Sequence, residues 1–312
     1  MRIRLSAYKQ GSALLSALFI MTLVAIAATA MSTRLQLDIY RTHLTILSDK
    51  LYLASQVPAF WAMDLLSKKD KHFFISAGDG KLVDFPKKLQ GLYPDVLMKG
   101  SLYDLQARFN VNNLQDKKFM PLLLKLLDNK LAKKDNKTLV NAIRHWITPY
   151  QPEQGQDQFL QFYSQQKPAY LPGFQPMKSI SELRLVAGVN AKIYKSLLPA
   201  LIALPETTAI NINTASKSVL AALGNGLDNA QVSELIQVRG EEGITELNDV
   251  AVLLKKLDVP VDQITLESSY FLCVATAISE DITLTNYTII KRSKDKQGEF
   301  SISIVYESLN TL

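Results

Sequence analysis

The chain has 312 residues, of which 47% are apolar and 21% charged, and a formal net charge of +6. This composition supports a sizeable buried core in about two domains and excludes a disordered, collagen-like or low-complexity protein. The single cysteine, Cys273, excludes an intrachain disulfide framework and a cysteine-based zinc site. The modest positive charge does not by itself argue for nucleic acid or anionic lipid.

The run from Ser12 to Met31 carries no charged residue. As a helix rising about 1.5 Å per residue it spans roughly 30 Å, the thickness of a bilayer core. Arg2, Arg4 and Lys9 precede it, so the positive-inside rule leaves the N-terminus in the cytoplasm. Three readings fit the run: a secretory signal cut after Ala28-Thr29-Ala30, a permanent anchor, or a leader removed ahead of an apolar helix that is retained. From Arg34 to Leu66 apolar residues recur at helical spacing (Leu35, Ile39, Leu44, Leu47, Leu51, Ala54), with Pro58 the only breaker. The periodicity therefore predicts one continuous helix over 12–66, half apolar and half amphipathic.

Further along, Phe73-Phe74-Ile75 and Lys81-Leu82-Val83 flank a Gly-containing stretch and suggest a hairpin. Residues 101–114 read as a strand entering an Asn-rich turn. Helices are predicted over 119–132 and 137–147, and a long ordered loop over 151–176. Ser179 and Glu182 have capping-box spacing ahead of Leu183–Val186. Further helices are predicted over 194–202, 216–223 (capped by Asn213 or Thr214), 232–239 and 247–257, which makes 115–258 an all-α block. The β-branched and aromatic runs 270–277, 282–290 and 300–306 predict antiparallel strands with one apolar and one polar face, the last two joined by a turn at Asp295–Gly298.

These words, in this order, resemble the type II secretion minor pseudopilin K family, and the resemblance covers nearly the whole chain. Its carriers are Gln10-Gly11-Ser12-Ala13-Leu14-Leu15, the Asp104-Leu105-Gln106-Ala107-Arg108-Phe109-Asn110 stretch with Asn112-Asn113-Leu114, Ser181-Glu182-Leu183-Arg184, and Asn211-Ile212-Asn213-Thr214-Ala215. The resemblance implies an α+β, pilin-like fold: a long N-terminal helix packed on an antiparallel sheet, with a large all-α insertion domain. The organisation it implies is a leader at 1–11, the N-terminal helix at 12–66 (transmembrane at 12–31), β segments at 67–114 and 259–312, and a helical insertion at 115–258 related to sterile-alpha-motif or helix-hairpin-helix units. Prepilin peptidase is expected to cut between Gly11 and Ser12, with methylation of the new Ser12 amine. Most pilin-like chains carry Glu at the fifth mature position, where this one has Ser16, and a subunit with no neighbour above it can dispense with that charge. The implied role is a non-catalytic tip subunit of a periplasmic pseudopilus in the inner membrane of a Gram-negative bacterium, with minor pseudopilins I and J as partners. No small-molecule substrate and no nucleic acid are expected. Family members can carry calcium near this point of the helical domain. Around Trp146 only Glu153 and Asp157 are available, too few for an ion that takes six to eight oxygens, so no cofactor is expected.

Two rivals come from other classes. Gly224-Asn225-Gly226, followed by Ala230 and Arg239, resembles the helix-hairpin-helix of membrane-anchored DNA receptors in competence or uptake systems, although Asn225 replaces the usual apolar residue. For an enzyme, only His43, His72 and His145 are present, without HExxH, G-x-S-x-G, P-loop or dinucleotide motifs. His145 beside Trp146 reads as a packing residue.

Overall fold

A computed structural model of the chain describes residues 7–68, 79–131, 135–150, 157–295 and 297–311. Two compact units emerge, Met1–Leu53 and Ala54–Leu312. Helix α1 (Ala7–Ser67) is uninterrupted, and Pro58 lies inside it. In the first unit the apolar side chains from Leu14 to Ile26 are exposed. The hydroxyls of Ser16, Thr22, Thr29 and Thr33 donate to the carbonyls of Ser12, Phe19, Ala25 and Thr29 at 2.8–3.0 Å. The segment therefore meets its side-chain hydrogen-bonding needs internally, as a lipid environment requires. Among the described residues α1 alone is long and apolar enough to cross a membrane.

The second unit follows α1 with β1 (Lys81–Asp84), β2 (Leu97–Asp104) and β3 (Phe109–Asn110). Helices α2 (Met120–Lys130), α3 (Asn136–Ile147), α4 (Gln158–Ser164) and α5 (Ala191–Leu197) come next. Then follow β4 (Leu201–Ile202), β5 (Ile210–Asn211), α6 (Lys217–Leu220), α7 (Asn229–Arg239), α8 (Asn248–Lys256) and β6 (Ile264–Thr265). The chain ends in β7 (Tyr270–Ser279), β8 (Ile282–Lys294) and β9 (Phe300–Leu309). The main sheet runs β1-β2-β7-β8-β9, antiparallel throughout. The architecture is α+β.

Several expectations change in detail. Residues 69–78, which hold the first arm of the predicted hairpin, lie outside the described residues, and β1 pairs with β2. The stretch read as a loop over 151–176 contains α4, seven residues started by Asp157, whose side chain accepts from the amides of Phe159 and Leu160. Only Tyr163 of that helix is fully buried, so it shows no apolar period. The helix predicted at 194–202 begins earlier, where the Asn190 side chain caps α5, and ends at Leu197 before the chain straightens into β4. Neither Asn213 nor Thr214 caps α6: Ser216 holds the N-cap position and makes no side-chain cap bond. The 115–258 block is not purely helical. Its β4 pairs in parallel with β3, and its β5 pairs in parallel with β6; two-residue bridges are too short to give a sequence period.

The expectation of one apolar and one polar sheet face is also corrected. β7 is covered on both sides. Phe271, Cys273 and Ala275 pack with Ala59, Ala62, Leu65 and Leu66 of α1. On the opposite face, Tyr270 and Leu272 pack with Leu105, Ile202 and Leu204. Arg292 of β8 donates from Nε to the Leu66 carbonyl at 2.9 Å and from a terminal nitrogen to that of Lys68 at 3.1 Å, satisfying acceptors that the end of α1 leaves open. The Asp295 carboxylate closes the predicted β8–β9 turn by accepting from the Gln297 and Glu299 amides. Gly100 of β2 permits the close approach at Pro58: a Cβ there would sit 2.8 Å from the proline Cβ. Gly100→Val is expected to destabilise the second unit by about 1–3 kcal/mol through overpacking. Denaturant unfolding of the full chain in detergent checks this, and an unchanged midpoint contradicts it.

Candidate functional site

The chemistry-bearing residues singled out in the sequence converge on one buried polar junction rather than on a cleft. Asp104, the last residue of β2, is 2% exposed. Its Oδ2 accepts from Asn211 Nδ2 at 2.9 Å, Thr214 Oγ1 at 2.6 Å and Ser268 Oγ at 2.7 Å, and its Oδ1 accepts from the Gln106 amide at 2.8 Å. Burial pushes the Asp104 carboxyl above its ordinary pKa, against the pull of the Thr214, Ser268, Gln106 and Asn211 donors. The Thr214 and Ser268 hydroxyls can accept as well as donate, so the group stays bonded in either protonation state. Gly80 closes the junction from the other side: its amide donates to the Thr214 carbonyl and its carbonyl accepts from the Asp104 amide. At φ +80° it takes a conformation that favours glycine.

The asparagines build the same local device twice. In the first module Asn110 Oδ1 accepts from the Asn112 amide. Asn112 then clamps both backbone groups of Met177 at 2.8 and 2.9 Å and donates to the Leu204 carbonyl. In the second module Asn211 Oδ1 accepts from the Asn213 amide. Asn213 clamps both backbone groups of Ile244 at 2.8 and 2.9 Å and donates to the Leu266 carbonyl. A carboxamide carries the same donor and acceptor as a peptide group, so each clamp substitutes for a strand that the short parallel bridge lacks. Asn113 adds a clamp on Thr208, where Thr214 stands in the second module. Phe109 lies in the module core, and Arg108 ends a 3-10 turn with its amide bonded to Leu105.

Sequence reasoning missed Ser268 and Ser269, and held Gln106 only as one letter of the Asp104–Asn110 word. Gln106 donates to the Ala209 carbonyl and accepts from the Ser269 amide, linking the two modules to the start of β7. It also missed the repetition. The signal was present: Phe-Asn-Val-Asn-Asn at 109–113 and Ile-Asn-Ile-Asn-Thr at 210–214, each followed by a Ser/Thr-Glu-Leu word, at 181–183 and 245–247.

The other candidates behave differently. Gly11 lies in α1, and Ser12 and Ser16 follow one turn apart on the exposed apolar segment. Glu153 lies outside the described residues. Asp157 has spent both oxygens, Oδ1 on the start of α4 and Oδ2 on His145 Nε2 at 2.5 Å. Burial raises its carboxyl, but the His145 partner and the two amides outweigh that and leave it below the ordinary range. Among the described residues no three His, Cys, Asp or Glu side chains gather to hold a metal. His145 also packs against the rings of Phe159, Tyr163 and Phe174, as its place beside Trp146 suggested. In the hairpin at 224–226 the amide of Gly224 is bonded to Gln263, that of Gly226 to Leu223 and that of Leu227 to Ala221. The Asp228 carboxylate occupies the start of α7, where a phosphate would bind. This hairpin does not offer the amide cradle that DNA recognition uses.

Family models for the type II secretion system protein K match residues 107–206 and 210–266, between them just over half of the chain. The chain belongs to the type II secretion system protein K family. That makes it a component of a protein-secretion system, the minor pseudopilin that its sequence words resemble. Its relatives include protein K of Pseudomonas aeruginosa, 30% identical over 62% of this chain and 60% of that one, and protein K of Aeromonas hydrophila, 28% identical over 92% and 94%. The alignment with the Pseudomonas relative thus spans less than two thirds of that protein. A chain of the crystal structure of the GspK-GspI-GspJ complex from the enterotoxigenic Escherichia coli type 2 secretion system shares the fold. Its TM-score is 0.65 at 21% identity, over 90% of this chain and 99% of that one. The two family models meet at 206/210, where the first Asn clamp gives way to the second.

Asn112→Ala and Asn213→Ala each leave a buried amide and two carbonyls without their partner. Each is expected to cost about 1–3 kcal/mol, and because they share no partner the double variant should show the sum. Chemical denaturation of the three variants checks this. Asp104 titrates upward on folding, so the fold binds its proton more tightly than the unfolded chain does. Its contribution is most favourable at or below the ordinary aspartate range and is lost as pH rises through the raised value. Wild type should therefore lose stability relative to Asp104→Asn as pH rises across that window, as unfolding midpoints at stepped pH will show.

Proposed function

We propose that this chain is the non-catalytic tip subunit of a periplasmic pseudopilus, which it caps or initiates for protein export across the outer membrane. The observation that carries this reading is at Ser16. Residues 12–37 contain no Asp or Glu, and the Ser16 hydroxyl is bonded to the Ser12 carbonyl of its own helix. The apolar segment therefore offers no carboxylate to the terminal amine of a neighbouring subunit, a pairing that two buried charges would need in lipid. A subunit with nothing above it has no use for that pairing. The two Asn-clamped modules add bulk to the pilin-like sheet, which obstructs stacking of a further subunit. The subunits beside it are taken to be minor pseudopilins I and J, in line with the complex in which the similar fold occurs.

In this reading prepilin peptidase cuts between Gly11 and Ser12, Ser12 is N-methylated, and residues 12–31 hold the chain in the inner membrane before assembly. The N-terminus faces the cytoplasm and the second unit the periplasm. The protein's own residues supply mechanical fastening, with no reaction step. Intact mass and N-terminal sequencing of the membrane-extracted protein test the reading. The expected product starts at a methylated Ser12, whereas a start at Met1 or Met31 contradicts it.

A further inference from the structure

We propose that the first Asn-clamped module carries a docking groove for an acidic amphipathic helix of a partner protein. The proposal goes beyond the pseudopilin reading and does not depend on it. The groove has a volume of about 780 Å³ and lies between the end of α2, the start of α3, α4 and α5. Leu131, Leu139, Phe159, Phe162 and Ile193 supply its apolar lining. Leu139 belongs to the module core, whereas Phe162 is 39% exposed and leaves an aromatic ring beside a concave apolar wall. Concave apolar surface with a few polar groups at its margin is the usual form of a binding site.

Charge and backbone chemistry specify the occupant. Lys130 of α2 and Lys192 of α5 both line the groove, and among the described residues neither has an ion-pair partner. Asp135 is the one acid among the lining residues, while Lys137 of α3 and Lys195 of α5 add to the positive field. The wider charge pattern agrees. Residues 107–206 hold 14 Lys and Arg against 7 Asp and Glu, whereas residues 210–266 hold 4 against 8, so an anionic partner is drawn to the first module and repelled by the second. Every lining residue lies in a helix or in a turn beside one, so the groove has no strand edge with which an extended peptide could pair. An extended chain would bring unpaired amides onto an apolar wall. A helix bonds its own backbone, lays an apolar stripe on the wall, and meets the lysines with Asp and Glu on its flanks.

The test is fluorescence anisotropy of two labelled helical peptides titrated with the full chain in phosphatidylcholine nanodiscs, with empty nanodiscs as the blank. Both peptides carry Leu and Phe at i, i+3, i+4 and i+7. One has Glu on the flanking positions and the other has Lys. The acidic peptide is expected to bind about tenfold or more tightly than the basic one, with an affinity that falls as salt rises. Lys130→Glu combined with Lys192→Glu should reverse that order while amide exchange in β7 stays unchanged, which shows that the variant is folded. In the wild-type chain the bound acidic peptide should slow exchange over 158–164 and 191–197 by about tenfold. Equal binding of the two peptides overturns the proposal, as does an order that survives the charge reversal or protection that falls elsewhere in the chain. Slowing of the same segments by sodium dodecanoate but not by the acidic peptide marks a fatty-acid site and overturns it. Slowing that rises with the concentration of the chain alone means a second copy fills the groove, and overturns it too.

Discussion

The second unit depends on one buried carboxylate. Asp104 joins four donors: the Gln106 amide in the turn that follows it, Asn211 and Thr214 more than a hundred residues on, and Ser268 in the segment leading into β7. An isolated buried charge is expensive, and each donor left without it would be orphaned in turn. The arrangement is stable only when all three parts arrive together. Asp104 pairs with Phe271 across β2 and β7, so the carboxylate sits where the sheet ends and the helical modules begin. Neighbouring ties reinforce it: Gln106 bridges Ala209 and Ser269, and Glu206 takes both the Tyr270 hydroxyl at 2.6 Å and Lys291 at 2.7 Å. The first module is thereby held to the sheet as the second is, by polar contacts placed around an apolar cluster.

This fastening suits a mechanical part. The junction is buried, and its asparagines are spent on backbone groups and, for Asn211, on the Asp104 and Ser268 side chains. The modules are built from short elements that could not persist alone: α4 and α5 have seven residues, α6 four, and the parallel bridges two. They are held by a shared apolar core from Phe109 to Ile264 and by side-chain clamps that replace missing ladder bonds.

Much of the fold was legible in the sequence because it obeys simple periods. The 3.6-residue repeat located α2, α3, α7 and α8 to within a few residues, and the β-branched runs located β7, β8 and β9. Apolarity alone marked the Ser12–Met31 segment. What was not legible fails for physical reasons. α4 is too short and too exposed to have a period. The β3–β4 and β5–β6 bridges are two residues each. Asn213 and Thr214 looked like caps because caps are the usual local use of such side chains, yet their partners lie 31 to 110 residues away. The family words around Asp104 and Asn211 were visible as words, but their meeting in space was not. Ser268, an ordinary serine before a strand, gave no signal at all.

In this structure the Asp104 carboxylate fastens the second module to the sheet. Native-state hydrogen exchange of the full chain carrying Asp104→Ala tests it most directly. Protection should be lost selectively at residues 210–214 and 264–269, with the Asn112-clamped first module and the β7–β8 ladder retained. Unchanged protection at those two segments, or an even loss across the whole unit, would contradict it.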